Sequence, residues 1–269
     1  PLWNEVIYID NDNFNLTERR KLLHERQRKR QKIFKLITLS IPLFIVLITI
    51  ISIMSNRNNT IAAFNLAIPK IEEKQLYTVC IDPGHGDWDY GAISPNGTAE
   101  KDITLSISLK LGKLLEEDGS FKIIYTRATD TMDWIETAND SLKERIKISK
   151  ISNADIFVSI HCNYSSDSND VLGVETWYNP SDDSSLTLAK YLQQSLIDLD
   201  YTNNRGVKSY VPGEELAVLE LNSTTSALVE LGFLTNPSDE KYLTSSIGQD
   251  NCANALYRAI LEYRDDTNE

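Results

Sequence analysis

The chain has 269 residues, of which 27 are basic and 39 acidic, giving a formal net charge of −12 at pH 7. Cys80, Cys162 and Cys252 are its only cysteines and no CxxC pair exists, which excludes a disulfide framework and a Cys-rich zinc site. An acidic balance of this size also argues against nucleic acid as a partner.

Residues 1–35 read as a basic tail, with nine Lys/Arg, all from Arg19 to Lys35, against five acids. Residues 36–54 carry no charge, and 14 of these 19 are apolar. At about 1.5 Å per residue such a helix reaches roughly 28 Å, close to the ~30 Å hydrocarbon core of a bilayer. Thr38, Ser40, Thr49 and Ser52 supply too little polarity for the solvent stripe of a soluble helix. Pro42 is better tolerated in a membrane helix. The run is also longer than the ~7–15 residues of a signal-peptide core, so an uncleaved single-pass anchor is expected.

The flanks set its orientation. Basic residues stay inside, so the N-terminus is expected in the cytoplasm. Residues 36–269 hold the remaining 18 basic and 34 acidic residues, a net of −16, and are expected on the outer, cell-wall side of the cytoplasmic membrane. Residues 55–75 read as a linker.

Residues 76–265 alternate short apolar runs with amphipathic stretches. Strands are expected at Tyr77–Ile81, Phe121–Thr126, Asp155–His161, Val174–Tyr178, Leu216–Leu219 and Ala227–Leu231. Helices are expected near Asp102–Glu117, Leu142–Ile151, Ser184–Leu199 and Asn251–Tyr263. In the first helix Leu105, Ser108 and Leu109, continued by Leu111, Leu114 and Leu115, read as the packed face. Strands alternating with helices predict an α/β domain, a mostly parallel sheet with helices on both faces.

Two histidines of this domain, His85 and His161, each close an apolar strand pattern. Strand exits on open α/β sheets are where such proteins keep their sites. Neutral imidazole is the commonest protein ligand for a transition metal. A catalytic zinc usually takes three protein ligands, His₂Glu being one common set. Asp87, Asp89, Glu100 and Asp102 all follow His85, and spacing alone does not choose among them. Glu230 stands out separately, because it interrupts the apolar run Ala227–Leu234. A carboxylate buried there without a partner costs several kcal/mol or more, so it must face a cation, a water or a cleft.

Four blocks carry a resemblance. Asp82-Pro83-Gly84-His85-Gly86, Glu100-Lys101-Asp102, Ser159-Ile160-His161-Cys162-Asn163 and Val229-Glu230-Leu231-Gly232-Phe233-Leu234-Thr235-Asn236-Pro237 resemble, in order, the zinc-dependent N-acetylmuramoyl-L-alanine amidases that cut bacterial peptidoglycan. Thr126-Arg127, Gly173-Val174-Glu175 and Arg205-Gly206-Val207-Lys208 support it. The resemblance implies a sheet of about six strands, Zn²⁺ held by His85, Glu100 and His161, and Glu230 as the catalytic carboxylate. Asp87 stands where the family usually has a second glycine, and Asp tolerates a positive φ better than most residues. Cys162 adjoins His161 but should point to the opposite face, into packing.

Only about ten residues (Cys162–Val171) separate His161 from the next strand. That leaves no room for the long inserted helix that blocks the site in some relatives. The expected activity is hydrolysis of the bond between N-acetylmuramic acid and L-alanine. Two alternatives stay open: a zinc peptidase cutting within the stem peptide, and an inactive wall-binding protein.

Overall fold

The computed structural model describes Ile45 and residues 76–132 and 137–267. Apart from Ile45, the expected membrane span, basic tail and linker lie outside those residues. Among the described residues no helix is long and apolar enough to cross a membrane.

Six strands build one sheet: β1 (Tyr77–Pro83), β2 (Phe121–Tyr125), β3 (Ile156–Asn163), β4 (Val174–Tyr178), β5 (Asn204–Ser209) and β6 (Thr225–Phe233). Their order is β2-β1-β3-β6-β4-β5. Only the β4–β6 pairing is antiparallel, so the expected mostly parallel sheet is present. The helices are α1 (Glu100–Asp118), α2 (Ala138–Ile151), α3 (Asp183–Ile197), α4 (Ala217–Glu220), α5 (Pro237–Thr244) and α6 (Ser246–Thr267).

The central strands are buried on both faces, which is why they read as continuous apolar runs. On one face Val79, Ile81, Ile156, Val158, Ile160, Ala227 and Val229 pack under α1, α3 and α6. On the other, Cys80, Phe157 and Leu228 meet Val218 and Leu219, with Leu142 and Ile148 of α2 against them. Helices therefore cover both faces.

Three expectations change. Leu216–Leu219 is not a strand: Leu219 and Glu220 donate backbone N–H groups to the Leu216 carbonyl, closing the short helix α4. The sixth strand is β5, whose polar sequence Asn204–Ser209 hides it; at the sheet edge it pairs with β4 alone. In α1 Ser108, Leu111 and Leu115 are buried as expected, but Ile103 and Ile107 complete the stripe, whereas Leu109 is 38% exposed. That rotation puts Glu100, one turn before Ile103 and Thr104, on the inner side of the helix. The connection from β3 to β4, residues 164–173, contains no helix, as the short spacing predicts.

Candidate active site

β1, β3 and β6 end together, and their C-terminal ends carry the site. Beyond β1 the chain turns through His85 (φ 59°), Gly86 (φ 132°) and Asp87 (φ 56°), so the left-handed conformation foreseen at Asp87 begins at the histidine itself. Two arginines hold this costly turn from below. Arg127 Nη2 donates to the Gly84 carbonyl oxygen at 2.9 Å, and Arg145 Nη2 donates to that of His85 at 2.6 Å. Gly84 is required here, because a Cβ would come within 2.4 Å of the His161 ring.

His161 sits near the end of β3 in register with Glu230 on β6. Glu100 opens α1, where a carboxylate also favours the helix N-terminus. The donor atoms of His85, Glu100 and His161 all lie within 4.8 Å of one another, a group able to hold a metal ion. His85 Nε2 is 3.2 Å from Glu100 Oε2, and His161 Nδ1 is 3.0 Å from Glu100 Oε1. The carboxylate is further pinned by backbone N–H groups of Cys162 (2.9 Å) and Ala92 (2.8 Å). Burial pushes the Glu100 pKa up, but the hydrogen bonds to His161 and His85 outweigh it and leave the group below the usual carboxylate range. Burial lowers the pKa of His85, yet Asp89 and Glu100 raise it overall, to about 9.

Of the four loop carboxylates, Glu100 alone joins the histidines. Asp89 stands behind, its Oδ2 2.9 Å from His85 Nδ1, which fixes the ring with Nε2 toward Glu100. Asp87 ties down the loop through Met132 N, and Asp102 is exposed. Cys162 turns to the other face and packs in the core, as alternation predicts.

Glu230 shares the face of His161. Its Oε2 is buried and has no hydrogen-bond partner among the described residues. Burial first, then the charges of Glu100 and Glu175, raise its pKa well above the carboxylate value. The group therefore tends to hold a proton, and an added cation nearby would release it.

Residues 79–262 match the family model described as N-acetylmuramoyl-L-alanine amidase. The chain belongs to that family. Within it, the chain is 35% identical over 188 residues to the amidase LytC of Bacillus subtilis, covering 69% of this chain and 35% of LytC. The chain thus spans only about a third of that relative's length. The solved CwlD amidase of Clostridioides difficile, in complex with the GerS lipoprotein, superposes with a TM-score of 0.65 at 37% identity, covering 70% of this chain and 98% of CwlD. An amidase from Clostridium difficile 630 gives 0.64 at 34% identity, covering 71% and 97%.

For this amidase-family domain, sequence reasoning missed the layer beneath the site. Asp82, fully buried, accepts from Arg145 Nη1 (2.5 Å), Thr126 Oγ1 (2.5 Å) and Ser159 Oγ (2.6 Å). The available signal was an acid inside the apolar β1 run, the same signal that exposed Glu230.

Proposed function

We propose that this protein is a membrane-anchored, zinc-dependent amidase that hydrolyses the bond between N-acetylmuramic acid and L-alanine in peptidoglycan. The observation that carries it is the convergence of His85, Glu100 and His161 beside Glu230, whose buried Oε2 has no hydrogen-bond partner among the described residues. Two imidazoles and a carboxylate suit zinc, which needs no redox chemistry.

Zn²⁺ held by these three residues would supply Lewis-acid polarisation of the amide carbonyl and would acidify water. Glu230 takes the proton of the attacking water and delivers it to the leaving amine of L-alanine. Asp89 fixes the His85 ring, while Arg127 and Arg145 hold the turn that presents it.

The apolar run 36–54, after a basic tail, supports a tether with the N-terminus inside and the catalytic domain facing the wall. A tethered enzyme reaches only wall near the membrane. With no helix in the 164–173 connection to act as a plug, control falls to location or to partners. Digestion of purified wall by the full chain, with mass analysis of the products, tests the reading. Intact stem peptides freed from muramic acid are expected; cleavage within the peptide, or no cleavage with zinc present, contradicts it.

A further inference from the structure

Beside Glu230 the sheet carries a second charged group that the hydrolytic step does not use. Glu175 on β4 is the register partner of Glu230 on one side and of Gly206 in β5 on the other. Residues directly opposed in an antiparallel ladder share a face, so the Glu175 and Glu230 carboxylates stand side by side.

Glu175 is only 3% exposed, and four donors converge on it. Arg205 Nε and Lys208 Nζ each lie 2.6 Å from its Oε2. Asn163 Nδ2 (3.0 Å) and Trp177 Nε1 (3.1 Å) donate to its Oε1. Burial pushes the Glu175 carboxyl up, but the bonds from Lys208 and Arg205 outweigh this and hold it ionised.

One anion is thus met by two cations, and one positive charge is left over. Arg205 uses only Nε on Glu175; its Nη1 and Nη2 make no hydrogen bond among the described residues. The Arg205 and Lys208 side chains are 33% and 31% exposed, so their spare N–H groups reach solvent. Their stems are seated. The Arg205 guanidinium lies 4.9 Å from the Phe233 ring centre, and Lys208 Nζ 5.5 Å from that of Trp177. Gly173 leaves the path clear, since a Cβ there would come within 2.6 Å of Arg205 Cγ and Cδ. On a portion of the chain with net charge −16, an anchored surplus of positive charge next to Glu230 points to an anionic ligand group.

We propose that Arg205 and Lys208, seated on Glu175, bind a carboxylate on the peptide side of the bond that is cut. This deepens the amidase reading and rests on it. In a muramoyl peptide the lactyl carboxyl is already consumed in the scissile amide, and the N-acetylated sugar is neutral. Free carboxylates therefore lie only on the peptide. Two strand spacings of about 4.8 Å separate β6 from β5, and an extended peptide advances about 3.3–3.6 Å per residue. The recognised carboxylate accordingly lies within about three residues of the cut bond.

The test compares two synthetic muramoyl peptides with the zinc-supplied full chain. One carries a free α-carboxylate on the second peptide residue; in the other that group is a carboxamide. The wild-type chain is expected to favour the carboxylate about 10- to 100-fold in kcat/KM, expressed in KM, the range for hydrogen bonds to a charged group. Lys208→Met should cut that preference to under about threefold, and Lys208→Arg should restore most of it. Glu175 keeps Arg205 in both variants, and the wild-type comparison needs neither. Equal kcat/KM for the two compounds, or a Lys208→Met loss equal on both, overturns the subsite alone. Cleavage of neither compound overturns the amidase reading and the subsite with it.

Discussion

Two acids on the same sheet show opposite treatments by the fold. Beneath the histidine loop, Asp82 is sealed in the core with Arg145, Thr126 and Ser159 arranged around it. Burial raises its pKa, but Arg145 and the two hydroxyls outweigh that and pull it below the usual range. Two strands away, Glu230 keeps a buried oxygen with no donor among the described residues. The fold supplies a cation where an acid must stay ionised to support a loop. It leaves the other without a donor, where a proton has to be taken up and given back.

The largest expected effect comes from removing the unmatched acid. Glu230→Gln should lower amidase kcat by about 10²–10⁴, the usual worth of a general acid–base group, while bound zinc stays near one per chain. Activity within tenfold of wild type would take proton transfer away from Glu230.

Breaking the matched pair should cost stability instead. Arg145→Met leaves Asp82 buried and unpaired, which costs about 3–5 kcal/mol in urea unfolding. Adding Asp82→Asn to Arg145→Met should recover part of that loss. Because the folded pKa of Asp82 is depressed, its contribution is present above the unfolded value of about 4 and is lost as pH falls through the folded pKa. Asp82→Asn should flatten the stability profile in that acid range, and an unchanged profile would deny the pair its role.

A smaller effect belongs to the support behind the metal group. Asp89→Asn should weaken zinc about 10- to 100-fold in a chelator competition, without abolishing binding. The smallest effect tests Glu230 again, now for stability. Its raised folded pKa makes chelated protein lose stability as pH rises from about 4 toward that pKa. Glu230→Gln should remove this loss and leave the chelated protein more stable at neutral pH, read by thermal unfolding in chelator. Equal or lower stability of the variant would mean that the carboxylate is matched after all.

The parts of the molecule legible in the sequence are those whose signal is local. β1, β3 and β6 are apolar because both faces are buried, and His85, His161 and Glu230 stand out against them. Glu100 was not separable from Asp87, Asp89 and Asp102 by spacing, since its place depends on how α1 is rotated over the sheet. β5 was hidden because an edge strand carrying Arg205 and Lys208 has no apolar alternation to read. Leu216–Leu219 shows the reverse error: a short apolar run fits a strand or a buried helical turn equally well. Arg145 was invisible for a different reason. Its partners Asp82 and the His85 carbonyl lie 63 and 60 residues away, and no periodicity links them.

Crystals of the zinc-loaded protein, with anomalous scattering measured on both sides of the zinc absorption edge, test the central claim most directly. One strong peak bonded at about 2.0–2.2 Å to His85, Glu100 and His161, with the Glu230 carboxylate facing it, is the expected result. A peak elsewhere, or none between these three side chains, would contradict it.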